Sequence, residues 1–466
     1  MLVDNGSQSP TEVLHSGSVV SNSSSTTIHD NASATPPNHL IEKEQHSESQ
    51  SPPQAETTPA TNSPGPVPNG GTIAWLQVLS GFMIFFNTWG IMNTFGIFQT
   101  YYESGALFNE TSSNISWIGA IQAYCVMLGG LFSGPIYDRG YLRVLLVVGA
   151  FGVVFGHMML SLCHTYWQVL LAQGFCVGLG GACLFVPGLA VLPAYFNTKI
   201  GLAMGVAAAG SSTGGIIYPI VFYQLINKIG FGWTVRVLGF IALATMLVPI
   251  LLMRQRIKPL KARALIDWSA FTDWPFMIFV LGGTIGFVGL YTMLFYVSYY
   301  GESQGITNAS LSFYLVPILN ATSMFGRTVP NAFSDFTGPI NIIIPGALIC
   351  GILVFCMVAV GSVGAIVIVT LLFGFFSGVF ISLPPVCFVM LTKDKSKIGT
   401  RIGMGFALIG FGILIGGPGG GSILGQSDTP NWTGLFIFGG ACEVVSALVF
   451  FALRFYKVGF NLKVKV

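Results

Sequence analysis

Charge is scarce in this 466-residue chain: Lys, Arg, Asp and Glu together make up 8% of it, where soluble domains carry about a quarter. That shortage excludes an ordinary soluble globule. The formal net charge is only +3, and the basic residues are scattered among apolar runs, so no nucleic-acid surface is expected. Histidine is rare, at six. The eight cysteines (Cys125, Cys163, Cys176, Cys183, Cys350, Cys356, Cys387 and Cys442) lie inside apolar stretches without a CxxC pair, so neither a metal site nor a disulfide framework is expected. No GxxxxGK[ST] loop occurs, which excludes ATP as the expected energy source. The N-terminus lacks a basic start followed by an apolar segment, which argues against a cleaved signal peptide. No cofactor and no catalytic group is expected, and the chain does not read as an enzyme. What the chain has in abundance is apolar surface: 52% of its residues are hydrophobic, which fits an integral membrane protein.

Residues 1–71 are rich in Ser, Thr, Pro and Asn and hold too few apolar side chains to build a core, so a disordered tail is expected. From Thr72 onward come apolar stretches near the roughly 20 residues that cross a bilayer. They fall at 72–98, 115–137, 141–163, 166–192, 199–226, 234–253, 273–298, 309–334, 340–361, 364–390, 398–424 and 432–455. The expected fold is therefore an all-α membrane protein of twelve transmembrane helices. Two six-helix units, 72–253 and 273–455, are joined by the basic linker 254–272 ("RQRIKPLKARALIDW" lies within it), and a short tail, 456–466, follows.

Basic residues orient the expected helices. Arg139, Arg143, Lys199, the cations of the linker, Lys393–Lys397, Arg401 and those beyond Arg454 share one side with the N-terminal tail; only Lys228 and Arg236 fall opposite. By the positive-inside rule, both termini are cytoplasmic. The sequons at Asn109, Asn114, Asn308 and Asn431 all land in loops of the other side, as glycosylation acceptors require. The plasma membrane is the expected location, with a vacuolar or other internal membrane as the alternative.

The two units echo each other. "KIGLAMGVAAAG" starts at Lys199 and "KIGTRIGMGFALIG" at Lys397; Asp138 closes the second helix and Asp335 the eighth. Matching offsets imply a duplicated, pseudo-symmetric six-helix unit, the architecture of carriers that rock two halves about a central site. Between helices two and three, "SGPIYDRGYLRVLLVVG" places Asp138, Arg139 and Arg143 where contacts can form and break as that face closes and opens. These residues, with Asp335, are the candidate conformational gate. Its Gly-x-x-x-Asp-Arg-Gly core resembles the loop signature of the major facilitator superfamily.

A closer resemblance is to the monocarboxylate transporter family in its fungal branch, over nearly all of residues 68–455. "NGGTIAWLQVLSGF" matches the opening of helix one, with Asn69 where the family usually has an acid. "YFNTKIGLAMGVAAAGSSTGGIIYPI" (195–220) matches the entry to helix five, and its small residues read as helix packing. In "NATSMFGR" (320–327), Arg327 stands where the family keeps an arginine, whereas Ser323 and Asn93 replace an aspartate and a lysine of its proton-coupled members. The resemblance implies a major facilitator fold and transport by alternating access; the branch includes carriers of several substrate types, so it does not determine the cargo. It also implies that proton symport of the simple kind is weakened here.

Arg327 sits in an apolar run, and a charge at membrane depth costs about 2.5–3.5 kcal/mol on insertion scales. It either snorkels to the interface or faces a cavity. Ser323 and Asn320 lie one and two turns away on nearly the same face, which favours a cavity. A guanidinium there can hold a carboxylate by two parallel hydrogen bonds. Arg327, Asn320, Ser323, Asn93 and Tyr291 form the candidate substrate site. Glu443, read as the carboxylate at membrane depth, is the candidate proton carrier. His157 reads as a packing histidine, while Asn87, Gln122, Tyr124 and Tyr296 are further candidates for a cavity lining.

The function expected is a secondary transporter moving a small organic acid or amphipathic anionic metabolite. One alternative is efflux of a fungal secondary metabolite of polyketide type; another is a non-transporting sensor or receptor. The expected partners are a small-molecule substrate and the lipid bilayer, with a coupled proton or other ion left open. No nucleic acid and no obligate protein partner is expected.

Overall fold

The computed structural model describes residues 67–256, 263–425, 429–459 and 464, apart from the side chains of Ala332, Asp335 and Lys395. The expected tail, 1–71, lies outside these residues except for its last five positions. Every regular element among the described residues is helical.

Ten helical stretches are long and apolar enough to cross a membrane. One of them, Ile200–Leu252, runs 53 residues, about 80 Å at 1.5 Å per residue and more than twice a hydrocarbon core. It is two helices in line, divided at Gly230, whose φ of 73° only glycine adopts without strain. An eleventh long helix, Ala309–Thr337, is too polar to join the ten because Asn320, Ser323, Arg327 and Asn331 interrupt its apolar surface. Counting the divided stretch as two gives twelve membrane elements among the described residues.

In chain order they are α1 (Thr72–Glu103), α2 (Ser112–Asp138), α3 (Leu142–Leu160), α4 (Tyr166–Ala194), α5 (200–229), α6 (231–252), α7 (Trp274–Ser303), α8 (Ala309–Thr337), α9 (Pro339–Ala359), α10 (Val363–Leu391), α11 (Ile398–Leu424) and α12 (Trp432–Val458). α1 reaches five residues beyond the expected span and is interrupted at Thr88 and Thr94. The hydroxyls of both threonines donate to carbonyls four residues earlier, at Ile84 and Gly90, a local competition that bends helices. α4 carries a π-helical segment, Leu170–Val177, before Gly180 packs against Gly152 of α3, where an added Cβ would come within 2.9 Å of backbone.

Helices α1–α6 meet α7–α12 along a seam that is in contact at both ends. The end that carries Asp138 and the linker is called the linker end, and the end that carries the sequons the sequon end. Near the linker end, a Cβ on Gly403 of α11 would lie 3.1 Å from the Gly130 carbonyl of α2. Near the sequon end, Gly421 of α11 abuts the backbone of Ser113 of α2, and Ser113 Oγ donates to the Pro418 carbonyl at 2.9 Å. Glycine at these crossings lets backbones approach where any side chain would separate them.

The two stretches that carry the family resemblance meet in space. Asn69, with φ of 53°, accepts the backbone N–H groups of Asn197 and Thr198 on its Oδ1 at 2.8 and 3.0 Å. An amide oxygen here performs the acceptor work of the acid it replaces, and asparagine tolerates the left-handed backbone.

Candidate functional site

Arg327 does not snorkel. It is 4% exposed, on α8, and its guanidinium is held inside the bundle. Nη1 donates to Ser211 Oγ of α5 at 2.7 Å, and Nε donates to Ser323 Oγ one turn back on α8 at 3.2 Å. No carboxylate among the described residues pairs with it: the ion pairs there involve Asp138, Asp267 and Asp273. A permanent charge inside a membrane bundle, satisfied only by hydroxyls, has capacity left for an anion.

Around it the structure gathers the other candidates. Asn93 of α1 donates from Nδ2 to Asn320 Oδ1 of α8 at 3.0 Å, and Asn320 donates in turn to the Val316 carbonyl at 3.0 Å. Gly215 of α5 leaves room for Asn320; a Cβ there would come within 2.5 Å of its amide. Tyr291 of α7 is buried, within electrostatic reach of Arg327, and packs edge-on against Phe295 at 5.3 Å between ring centres. Helices α1, α5, α7 and α8 therefore converge on one polar centre.

Aromatic rings flank that centre across the seam. Phe95 of α1 meets Phe295 of α7 at 4.7 Å, Phe185 of α4 meets Phe406 of α11 at 5.5 Å, and Tyr124 of α2 meets Phe411 of α11 at 5.1 Å. Such faces suit a flat, partly apolar ligand whose polar group is met by the arginine.

Ser211 was not a sequence candidate. It was read as one of the small packing residues of 195–220, and its neighbours bear that out: Gly210 abuts the Phe82 carbonyl, and Gly214 abuts Gly90. Its hydroxyl, in "GSSTGG", was the available signal: it donates to the Ala208 carbonyl on its own helix, and the arrival of α8 makes it the acceptor for Arg327.

Other candidates fall elsewhere. Glu443 of α12 is fully buried, and neither carboxylate oxygen has a partner among the described residues. It packs against Gly289 of α7, where a Cβ would sit 2.7 Å from Glu443 Cγ. It is not the sole carboxylate in the helices: Glu103, at the end of α1, accepts from Gln99 at 2.7 Å and Ser112 at 2.9 Å. Asn87 joins a network with Tyr218 and Thr245, and Tyr296 holds the sequon end of the seam through Ser116 and the Gly417 carbonyl. His157 donates from Nδ1 to the Val153 carbonyl at 2.8 Å, a packing role. The sequon residues Asn109, Asn308 and Asn431 are exposed and Asn114 is half-buried, all at the sequon end.

At the linker end each gate candidate has its own surroundings. Asp138 is grasped by Arg263 of the linker, through the backbone N–H at 3.0 Å, Nε at 2.6 Å and Nη2 at 2.8 Å. Arg139 is exposed, while Arg143 donates to the carbonyls of Ile250 and Leu251 at the end of α6. The reason is local. The turn at Gly140 (φ 92°) carries Arg139 out to solvent, and the linker comes back over α2 at Gly134, beside Arg263. Arg263 also abuts Gly399 of α11, so this cation spans both sides of the seam. The side chain of Asp335 lies outside the described residues.

The linker grips the other side too. Asp267 accepts from Lys397 at 2.9 Å, Arg401 Nε at 2.9 Å and Ser269 Oγ at 2.7 Å, and Arg401 Nη1 reaches Asp273 at 2.6 Å. Burial alone would raise the Asp267 carboxyl, but the hydrogen bonds from Ser269, Lys397 and Arg401 outweigh it and hold the group well below the usual carboxylate range. Residues 263–273 form a clasp between α2 and α11.

The helical bundle has known counterparts. The Major Facilitator Superfamily model matches residues 78–388, two thirds of the chain. The chain belongs to the Major Facilitator Superfamily. It is 61% identical over 381 residues to the MFS-type transporter dbaD of Emericella nidulans, covering 82% of this chain and 86% of that one. It is 36% identical over 362 residues to the aspyridones efflux protein apdF of Emericella nidulans, covering 78% and 74%. It is also 36% identical over 400 residues to the agnestins efflux protein AgnL12 of Paecilomyces divaricatus, covering 84% and 89%. The solved structure of the nucleoside transporter NupG superposes with a TM-score of 0.63 at 15% identity, covering 82% of this chain and all of that one, which bears on the fold alone. The protein is a multi-pass membrane transporter and not an enzyme.

Proposed function

We propose that this transporter exports an anionic, aromatic secondary metabolite, with Arg327 receiving the acidic group. The observation that carries the reading is a buried guanidinium whose partners are the hydroxyls of Ser211 and Ser323 and which meets no carboxylate among the described residues. An anion supplies what that site lacks, and two parallel hydrogen bonds orient it. Aromatic pairs across the seam favour a flat cargo over a small acid such as a simple monocarboxylate. Two relatives, the aspyridones and agnestins efflux proteins, support the direction. The finer kinship with monocarboxylate transporters belongs to this proposal; the arginine is its shared element, and Ser323 and Asn93 leave that site without the ionisable pair a proton symporter uses.

In this reading the linker end is cytoplasmic, the protein sits in the plasma membrane, and the two six-helix units rock about Arg327. Opening at the linker end requires Asp138 and Arg263 to part; opening at the sequon end requires α2 to give up the bonds from Ser113 to the Pro418 carbonyl and between Ser116 and Tyr296. The test compares metabolites inside and outside cells with and without the protein, and with Arg327→Ala and Arg327→Lys. Arg327→Ala is expected to cut export of the acidic metabolite about a hundredfold at unchanged surface level, in line with about 1.5–3 kcal/mol per charge-assisted hydrogen bond. Arg327→Lys is expected to restore part of it, because an ammonium keeps the charge and loses the fork. Equal export by parent and Arg327→Ala sinks the assignment.

A further inference from the structure

At the linker end, a groove of about 350 Å³ opens beside the second six-helix unit, lined among others by Ser269, Thr272, Trp274, Lys393, Arg401 and Tyr456. Its acids are committed. Asp267 is taken by Lys397 and Arg401, Asp273 by Arg401, and Asp394 by the backbone N–H and hydroxyl of Ser396. Two lysines are left over. Lys393, at the groove, and Lys457, near the end of α12, are exposed, lie within electrostatic reach of each other, and form no ion pair among the described residues. Asp273 attracts Lys457 but is already shared with Arg401, so the cations around the groove outnumber its acids, which favours an added anion.

The rim says which anion. Trp268 of the linker and the groove residues Trp274 and Tyr456 are 74%, 68% and 64% exposed. All three stand at the ends of membrane helices or in the linker just before one, where amphipathic rings sit at the headgroup level of a bilayer. A soluble anion would need the lysines alone; aromatic rings around them add a fit for glycerol and acyl carbons.

We infer that this groove binds the headgroup of an anionic phospholipid from the leaflet at the linker end, its phosphate between Lys393 and Lys457 and its backbone against Trp274 and Tyr456. The groove adjoins the clasp, since Arg401 and Asp273 belong to both. A bound lipid therefore rests against the segment that must move when this end opens.

The test is native mass spectrometry of the detergent-solubilised full chain, titrated separately with phosphatidylserine, phosphatidylcholine and inorganic phosphate. The parent is expected to bind phosphatidylserine more tightly than phosphatidylcholine. Lys393→Gln/Lys457→Gln is expected to bind phosphatidylserine about thirtyfold more weakly, at about 1 kcal/mol per lysine near an anionic surface, with phosphatidylcholine unchanged. Both changes are on exposed lysines, and Lys228→Gln at the sequon end is the control. Three results overturn the inference: undiminished phosphatidylserine binding by the double variant, an equal loss in Lys228→Gln, or displacement of the lipid by inorganic phosphate at matched concentration.

Discussion

Asp138→Asn tests the clasp most directly. In the closed linker end the carboxylate receives three donors from one residue, Arg263, and its side chain is 4% exposed against 20% for the arginine. That places the pair between the surface regime of 0–1 kcal/mol and the buried regime of about 3–5 kcal/mol. Asparagine keeps one acceptor oxygen and loses the charge, so at least one of the three bonds and the ion pair are lost, about 2 kcal/mol. At 1.4 kcal/mol per tenfold, the equilibrium at this end shifts about thirtyfold toward open. Spin labels at Tyr141 and Asp394, exposed positions on opposite sides of the seam, report the opening as a longer distance by pulsed electron resonance. Arg263→Gln should give a similar shift, and the double variant should add little to either, because both remove one interaction. Two single variants with the parent's distance distribution, or a double variant that opens by the sum of two independent effects, would refute the clasp.

The second half of the clasp predicts insensitivity to acid. A carboxyl held below its ordinary value contributes stability that is present above the unfolded value, about 3.9, and is lost only as pH falls through the lower folded value. Between pH 7 and 5 the Asp267 contribution is therefore expected to stay constant. Thermal unfolding in detergent should show the same difference between parent and Asp267→Asn at both pH values; a difference that vanishes by pH 5 contradicts the assigned partners. Glu443→Gln removes a buried ionisable group at nearly equal shape and is expected to leave protein level and maximal transport unchanged while abolishing any stimulation by a proton gradient. Undiminished stimulation in vesicles removes Glu443 as the proton carrier.

How much of this was legible beforehand depended on the range of the interaction. The membrane elements were legible because each needs a local run of apolar residues, and the boundaries held to a few positions. Ile200–Leu252 departed from that reading because hydrogen bonding continues past the expected loop, leaving Gly230 as the only break. Arg327 stood out for the same local reason, as did Ser323 and Asn320 on its face. The partners on other helices did not. Ser211 lies 116 positions before Arg327, and Arg263 lies 125 after Asp138. No periodicity joins residues so far apart, and each looked bland in its own stretch, one among small residues and the other in a basic loop.

The sequence by itself determined that this chain lies in a membrane, that it runs as repeated helical units, and that one arginine is buried at a cost that calls for a reason. Desolvation and helix period act on neighbours along the chain, so composition and spacing suffice for them. Only the tertiary structure decided that the arginine turns inward to hydroxyls and that Arg263 of the linker holds Asp138. It also decided that Lys393 and the exposed rings of Trp274 and Tyr456 line one groove. Those outcomes depend on which helices cross, and glycines at Gly90, Gly214 and Gly215 set how closely they do.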